Sequence, residues 1–470
     1  MSRLAGPGVD RSRLSYNARM APRLPFRLLV VGLLLAFAPA APAIAQDHTR
    51  EIAELRAHLQ ELRAELDALK ALIARTQQAE APAVPADTPA VPADAPAAPV
   101  DPIVAMLQEQ MAEQAQVKVE SRSRMPVTLS GTIVSNTFAN SGEANWLENP
   151  NLVAPESGPT GSFGSTLRQT HLELSASGPA IGAWQASGLV AVDFLGGAAG
   201  FQTGTVMGLP RLRYALARLE RESTAIVAGQ DEMLLAPRDP TTLAAPGFPM
   251  LFRSGNLYLR APQVRLEQQL GGGFDLRAGI VTPLAGDFGA TYVFAPAPGA
   301  GERSRTPGVQ ARLGFRRARD ERRSIAVGLS GHAGRERRAS GTRAQWAAAV
   351  DWNLQAGRFG LGGEGYAGEA LSAFGGALGQ SVRSAGGFAE VRFEATPRVS
   401  FNAGGGLDRV AGGDRRLVPL RGNRTWFGNG IVRITPEVAT SLEYRHLATE
   451  TAAGAQRTNH HVNLTFAYAF

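Results

Sequence analysis

The chain has 470 residues, 53 of them glycine and none cysteine, and a formal net charge of +7. The lack of cysteine excludes disulfide scaffolds, thiolate metal sites and thiol catalysis. The charge is uneven, since residues 1–45 hold six basic and one acidic residue, 46–120 hold six and thirteen, and 121–470 hold 36 and 27. The basic part contains no basic motif interleaved with aromatic residues, so its composition argues against nucleic-acid binding.

The first 45 residues have the layout of a signal peptide. Five arginines between Arg11 and Arg27 precede an apolar run, Leu28 to Ala38, and the small-residue pattern Ala43-Ile44-Ala45 follows. A transmembrane anchor would need about 20 apolar residues, and this run is much shorter. The pattern therefore predicts export of a mature chain that begins near Gln46.

Residues 46–78 are predicted to form an α-helical coiled coil. Apolar residues recur at spacings of three and four, at Ile52, Leu55, Leu59, Leu62, Leu66, Leu69 and Ile73. Glu51 would meet Arg56, and Glu65 would meet Lys70, of a parallel neighbour, which favours self-association. A single amphipathic helix lying on another surface is the alternative. Three to four heptads with mixed Ile and Leu do not distinguish a dimer from a trimer.

A spacer separates this segment from the rest of the chain. Residues 79–102 contain seven prolines among alanines, which predicts an extended linker. A short helix and connector, residues 103–126, follow.

Residues 127–470 show repeated alternation of apolar and polar residues, as expected for strands with one apolar face. A soluble sandwich strand could alternate in the same way. The final strand is more specific, because Phe466, Tyr468 and Phe470 share its apolar face and phenylalanine ends the chain. This ending resembles the signal by which the barrel assembly machinery recognises outer-membrane barrels.

The alternating segments predict an all-β transmembrane barrel of about 16 antiparallel strands. No apolar run of membrane-helix length follows Ala45, so for an exported chain a closed barrel is the way to span lipid. The predicted connections alternate between tight turns, such as Ala356-Gly357, and long loops, such as 232–254, which is the asymmetry of outer-membrane barrels. Fourteen or eighteen strands remain alternatives.

The sequence gives little support for catalysis. None of the seven histidines has a paired metal spacing on a helix, no Gly-x-Ser-x-Gly elbow occurs, and no cofactor is expected. His171 and Glu173 on one strand face could imitate part of a hydrolase site, but two polar lumen residues are the simpler interpretation. We therefore expect a protein that is not an enzyme.

The long loop after the fifth predicted strand, Met233 to Ser254, carries both signs of charge on a proline-rich segment that includes Arg238, Asp239 and Arg253. Its order and length resemble the third extracellular loop of general porins, which folds into the lumen. Opposed charges at such a constriction would select solutes by charge. An exposed surface loop is the alternative.

Arginines lie opposite the apolar stripes of several predicted strands, at positions 168, 211, 213, 260, 265, 277 and 312. Their planar guanidinium groups suit bidentate binding of carboxylates. Alternatively, they pair with acidic residues of the wall: Glu173, Asp193, Glu267 and Asp275. The predicted solute contacts are Arg211, Arg213, Arg238, Arg253, Arg260 and Arg265, opposed by Asp231, Glu232 and Asp239.

Together these segments resemble the DcaP-like family of trimeric outer-membrane porins. Val227-Ala228-Gly229-Gln230-Asp231 is similar to the family's fifth strand, and Gly255-Asn256-Leu257 through Arg260-Ala261-Pro262-Gln263-Val264-Arg265 to its sixth. The resemblance implies a sixteen-stranded homotrimer in the outer membrane that takes up small anionic solutes, including dicarboxylates. Porins often carry an aromatic residue soon after a Gly-Gln pair. In this chain Gly229-Gln230 is followed by Asp231-Glu232-Met233.

The working hypothesis is an outer-membrane porin that allows selective diffusion of small anionic solutes, with its coiled coil in the periplasm. The alternative is a structural envelope protein that uses the barrel as an anchor and the coil to span the periplasm. Contact of the N-terminal segment with peptidoglycan would suit either hypothesis.

Overall fold

The computed structural model describes residues 126–155, 160–197, 208–285, 297–320 and 322–470. Apart from Pro126, the predicted signal peptide, coiled coil, spacer and connector lie outside the described residues. Within the described ranges, no helix is long and apolar enough to cross a membrane.

Seventeen antiparallel strands form a single sheet. In chain order, β1 to β17 are Val127–Asn140, Ser162–Thr166, His171–Ile181, Trp184–Asp193, Arg211–Arg221, Thr224–Glu232, Arg260–Gly271, Phe274–Val281, Gly308–Asp320, Arg323–Arg338, Gly341–Ala356, Phe359–Glu369, Arg383–Glu394, Val399–Val410, Leu420–Arg433, Val438–Thr451 and Gln456–Ala469. The connections in the described ranges include four 3₁₀ turns, at Glu302–Ser304, Ser372–Phe374, Gly376–Gly379 and Asp414–Arg416.

The sheet closes into a barrel with sixteen strand positions. β1 pairs with β17 from Thr132 to Asn140, so no edge remains. β2 and β3 pair in succession with the two halves of β1 and are two pieces of one barrel strand. The predicted barrel class and strand number are therefore confirmed. The alternating pattern also predicts one uninterrupted strand over residues 165–177, and this prediction is wrong. The Thr170 hydroxyl accepts the Val134 N–H and takes the place of a backbone hydrogen bond between the strands there.

The two faces of the wall have opposite chemistry. On β17, Phe466 and Tyr468 are exposed on the outer face, whereas Asn463 and Thr465 are fully buried on the inner face. β11 repeats this arrangement, with Trp346 and Val350 exposed and Gln345 and Asp351 buried. An apolar exterior around a polar interior is the reverse of a water-soluble domain and suits a wall surrounded by lipid.

Tight turns at one rim alternate with long connections at the other. Gly182, Gly272 and Gly357 adopt positive φ angles of 62° in three of the tight turns, a conformation that favours glycine. The predicted strand ends agree with the structure to within four residues, with two exceptions. The strand predicted to end at residue 332 extends to Arg338 as β10, and the strand predicted from residue 255 begins at Arg260 as β7. Residues 255–259 belong instead to the connection between β6 and β7.

Candidate functional site in the barrel interior

Residues 233–259, which connect β6 to β7 and are called the inner segment below, contact the inner faces of many strands. The backbone N–H groups of Leu234 and Ala236 donate to Gln310 of β9 and Ser330 of β10. Met233 N–H donates to the Leu259 carbonyl and closes the base of the segment. Side chains such as Leu235, Met250 and Leu251 are fully buried.

Three buried carboxylates of the wall hold the first half of the inner segment. Glu364 of β12 accepts the Arg238 N–H at 3.1 Å. Glu390 of β13 accepts both the N–H and the hydroxyl of Thr241, at 2.8 and 2.9 Å. Glu443 of β16 accepts the Thr242 hydroxyl at 2.6 Å. These four hydrogen bonds fix the path of the segment, since a buried donor that lost its acceptor would be left unpaired. The three acceptors follow the order of the wall, from β12 to β16.

The next residues reach the opposite part of the wall. The Ala244 carbonyl accepts from Asn136 of β1 at 2.7 Å, and Gly247 N–H donates to Gln169, between β2 and β3, at 3.0 Å. The Gly247 carbonyl accepts from Arg211 of β5 at 2.8 Å. From residue 234 to 247 the segment therefore follows the inner circumference from β9 past the β17–β1 closure to β5.

The remaining residues return across the interior. The Ser254 and Thr425 hydroxyls are 2.7 Å apart, and the Asn256 side chain donates to Glu364 at 2.8 Å. Gly255 has a φ of 97°, and a Cβ atom there would stand 2.1 Å from the Gly387 carbonyl oxygen. The segment can approach the wall this closely only because residue 255 is glycine.

Apolar side chains also pack inside the barrel. Met250 and Leu251 form a cluster with Ala245 of the inner segment and with Phe388 and Phe427 of the wall. Part of the interior is thus occupied by a small hydrophobic core rather than by polar groups.

Three of the predicted arginines, Arg211, Arg213 and Arg260, come together beside the inner segment. Arg211 forms a bidentate pair with Asp193, at 2.6 and 3.0 Å. Arg213 lies 3.7 Å from the same carboxylate and donates to the Pro246 carbonyl at 3.0 Å. Residues 211 and 213 are two apart and share the inner face of β5, and a bulge opposite Ala191 and Val192 adds one residue to β5 beside them.

Aromatic rings hold the third arginine. The Arg260 guanidinium lies 4.6 Å from the centre of the Tyr214 ring and 5.1 Å from that of Tyr258, and it donates to Glu232 at 3.1 Å. Burial raises the pKa of Tyr258 to about 12, so its hydroxyl stays protonated and donates to the Gly247 carbonyl. The arrangement combines cation–π contacts with an ion pair.

Asp239 completes this group, which we call the arginine cluster: Arg211, Arg213, Arg260, Asp193, Glu232 and Asp239. It lines a small cavity together with Glu232 and Tyr258. Its side chain is exposed to the space inside the barrel. Desolvation by the surrounding protein and the neighbouring Glu232 charge raise the pKa of Asp239 to about 7, although Arg260 and a hydrogen bond with Asn256 oppose the shift. The cluster therefore has three arginines and three carboxyl groups, one of which titrates near neutrality.

The other predicted residues lie elsewhere. Asp231 pairs with Arg265 at 2.7 Å. Arg238 pairs with Asp351 of β11 at 3.0 Å. Arg253 has a positive φ of 62° and lies 5.5 Å from the centre of the Phe252 ring, and burial lowers the pKa of its guanidinium. The predicted contacts thus form one cluster and three separate sites.

The remaining wall arginines are paired. Arg168 meets Glu148 at 2.7 Å, Arg277 meets Asp275 at 3.2 Å, and Arg312 forms a bidentate pair with Asp351. The partners of the wall arginines include three carboxylates that the sequence suggests: Asp193, Glu267 and Asp275. The sequence does not predict the wall residues that hold the inner segment: Glu364, Glu390 and Glu443. Among the described residues, no group of three acidic or histidine side chains could hold a metal ion.

Comparison with known proteins rests on structure. No protein-family model matches the sequence, and no characterised protein matches it closely enough to count as a relative. The outer membrane channel DcaP of Acinetobacter baumannii superposes with a TM-score of 0.59 over 74% of this chain and 98% of its own, at 15% identity. The chain has the fold of this channel. An anion-selective porin from Comamonas acidovorans gives a TM-score of 0.52, 12% identity and coverage of 74% and 100%.

The DcaP-like resemblance found in the sequence is therefore confirmed at the level of the fold. At these identities the likeness concerns the backbone architecture, and the residues that would contact a solute have to be argued from this chain.

Proposed function

We propose that the chain is an outer-membrane porin that lets small anionic solutes, carboxylates in particular, diffuse through a lumen narrowed by the inner segment. The observation that carries the proposal is the position of the arginine cluster, which lies where the inner segment meets the wall at β5. The fold shared with the DcaP channel and the apolar outer face support the location in the outer membrane.

The anchoring of the inner segment supports its role as the constriction. It contacts strands from β9 round to β5 through side chains and backbone, and buried carboxylates hold it at three points. A segment held in this way keeps charged groups at fixed positions in the lumen. Fixed charges select solutes more sharply than mobile ones, because the groups need not reorganise when a solute passes.

The chemistry of the arginine cluster supports a preference for anions. Arg213 Nε and Arg260 Nε are buried donors without a hydrogen-bond partner among the described residues. A passing carboxylate could accept hydrogen bonds from these guanidinium groups after a small rotation of the side chains. Glu232, Asp231 and Asp239 stand opposite or beside them and would set the local field.

Arg238, Arg253 and Arg265 remain proposed solute contacts with a narrower role. Arg238 and Arg265 are each engaged with a carboxylate, and Arg253 is largely buried. We propose that these three mainly shape the field of the lumen, while Arg211, Arg213 and Arg260 meet the solute.

The assembly features of the sequence belong to the same proposal. The aromatic side chains of Phe466, Tyr468 and Phe470 are exposed on the outer face of the closing strand, where the barrel assembly machinery could contact them. We also propose self-association through residues 46–78, as the homotrimer that the family resemblance implies, together with a periplasmic position of the coil and contact of the N-terminal segment with peptidoglycan.

Conductance and reversal potential in planar bilayers test this function. The purified protein should give ion currents, and the reversal potential in a KCl gradient should indicate anion preference. Replacing Arg211, Arg213 and Arg260 together by glutamine should shift the reversal potential toward cations, whereas Arg415→Gln, in an outer connection, should not. Absence of current, or cation preference in the unaltered protein, would refute the proposal.

The structural-anchor hypothesis also has a specific observation in its favour. The cluster of Met250, Leu251, Phe388 and Phe427 fills part of the interior with apolar side chains, as expected for a barrel that need not conduct. A barrel of this kind would give no current before or after the arginine substitutions, so the same measurement separates the two functions.

A further inference from the structure

The outer wall carries a groove that the proposed function does not use. It has a volume of about 520 Å³ and lies on the lipid-facing side of strands β11 to β15. Trp352, Gly363, Ala389, Gly405 and Trp426 are successive neighbours across the five strands. Two tryptophans therefore stand on either side of a floor of small residues.

The tryptophans lie against the outermost glycines of this row. A Cβ atom on Gly363 would stand 2.6 Å from the Trp352 ring, and one on Gly405 would stand 2.4 Å from the Trp426 ring. Between the two rings the groove is lined by the small residues Gly387 and Ala389 of β13, and Ala389 is exposed. No large side chain of β13 therefore fills the space between the tryptophans.

Two arginines stand at one end of the groove. Arg424 is the cross-strand neighbour of Leu407, which borders the floor, and Arg409 lies two residues further along β14. Both side chains are exposed, and neither pairs with a carboxylate of the described residues. Arg424 donates to the Gln456 side chain at 3.2 Å. The arginines of the inner wall, by contrast, have carboxylate partners.

The guanidinium groups of Arg409 and Arg424 lie on the lipid-facing wall without a carboxylate partner among the described residues, so an anion from outside the chain can bind them. Charged groups that face the hydrocarbon of a bilayer are costly, whereas near the bilayer surface they reach water or an anion. Arg409 is one residue from the end of β14 at the long-loop rim and lies about 14 Å along the strand from Gly405 of the tryptophan row. Arg424 lies about 7 Å along β15 from Trp426. Both positive charges therefore lie between the rim and the tryptophan row, as a headgroup lies outside its acyl chain.

We propose that the groove binds a lipid with a phosphate headgroup, the phosphate on Arg409 and Arg424 and one acyl chain between Trp352 and Trp426. Arginine binds phosphate oxygens in bidentate fashion, which gives the pair a preference for phosphate over neutral headgroups. The small residues Gly387 and Ala389 of the groove allow an acyl chain to contact the backbone closely. Tryptophan is common where the apolar and polar parts of the bilayer meet. The proposal concerns the outer wall and holds whether or not the interior conducts.

The test uses tryptophan fluorescence in defined bilayers. Trp146, Trp184 and Trp346 are replaced by phenylalanine, so that Trp352 and Trp426 are the only reporters in the chain. The full chain is reconstituted at pH 8 in phosphatidylcholine containing either brominated phosphatidylglycerol or brominated phosphatidylcholine, since bromine on an acyl chain quenches nearby tryptophan. We expect quenching to show a preference of about fivefold or more for phosphatidylglycerol over phosphatidylcholine. One arginine near an anionic headgroup contributes a preference of about fivefold.

Matched variants separate the two parts of the site. Arg409→Gln with Arg424→Gln should bring the preference to near unity, whereas Arg433→Gln, at the other end of β15, should leave it intact. Ala389→Leu fills the floor and should reduce quenching by both lipids, while Ala186→Leu, on the outer face of β4, should not. Anionic preference that survives the double arginine variant would overturn the proposal.

A second result would overturn it in favour of another occupant. If Ala389→Leu changes the oligomeric state in detergent but leaves the lipid preference unchanged, the groove is a contact between copies of this chain. An unchanged β-sheet circular dichroism spectrum in all these variants would show that the barrel is folded.

Discussion

Glu390 of β13 accepts two hydrogen bonds from one residue of the inner segment, the N–H and the hydroxyl of Thr241, at 2.8 and 2.9 Å. The two residues are 149 positions apart in the chain, and the carboxylate is almost fully buried. This contact, with those of Glu364 and Glu443, explains how a proline-containing loop keeps a fixed path inside a wide barrel.

Glu390→Gln should loosen the inner segment. Glutamine keeps the size of the side chain but removes its charge, and hydrogen bonds to charged groups contribute about 1.5 to 3 kcal/mol. Amide hydrogen exchange in residues 233–259 should therefore accelerate about tenfold or more, as measured by mass spectrometry. Glu394→Gln, on the exposed end of the same strand, is the control and should leave exchange unchanged. Equal protection in both variants would mean that other contacts alone fix the segment.

The ion preference of the channel should depend on pH through Asp239. Its pKa is raised to about 7, so the carboxyl group is charged at pH 8 and largely protonated at pH 6. Protonation leaves the arginine cluster with one excess positive charge, and anion preference should rise as the pH falls from 8 to 6. Asp239→Asn should fix the reversal potential near its low-pH value across this range.

Asp414→Asn is the matched control for the pH measurement. The hydrogen bond from Arg383 lowers the pKa of Asp414, so that carboxyl group does not titrate between pH 6 and 8. The raised pKa of Asp239 also makes the stability of the folded protein depend on pH. Since Asp239 binds its proton more tightly in the folded state, its contribution to stability falls as the pH rises toward 7. A pH response that persists in Asp239→Asn would assign the titration to another group.

Gly255→Ala should prevent the inner segment from taking its native path. The new Cβ atom would stand 2.1 Å from the Gly387 carbonyl oxygen at a φ of 97°, and neither backbone can move without breaking other contacts. Gly454→Ala is the control, because its φ of 81° is equally unsuited to alanine but nothing lies within 4 Å. The urea concentration at half-unfolding should fall much further for Gly255→Ala. Equal decreases would show that backbone strain, rather than crowding, limits the position.

The sequence predicts the barrel well because a strand in a lipid-facing wall alternates with period two, and that signal is local. β11 and β17 illustrate this, since each apolar position identified from the sequence is on the outer face. The start of β7 was misplaced because Gly255 and Asn256 look extended but are held by Gly387 and Glu364, residues more than 100 positions away.

The sequence predicts only part of the candidate site, because most of its contacts join residues that are distant in the chain. The sequence places Arg211 and Arg213 on one face of a strand, but their shared contact with Asp193 appears only when β4 and β5 are paired. The wall carboxylates Glu364, Glu390 and Glu443 occur in strands that give no local indication of a ligand. Their partner is a distant loop, so their role depends on the closed barrel and not on a motif.

Removing residues 46–102 should convert the protein to monomers if the predicted coiled coil holds the oligomer together. The Glu51–Arg56 and Glu65–Lys70 pairs and the apolar seam between them are the sequence features that predict association. Light scattering of the detergent-solubilised protein, corrected for bound detergent, measures the mass of each variant. Removing only the spacer, residues 79–102, is the control and should keep the oligomer, because the coil remains. An oligomer that persists without residues 46–102 would mean that the outer faces of the barrels hold the copies together and that the coil serves a different purpose.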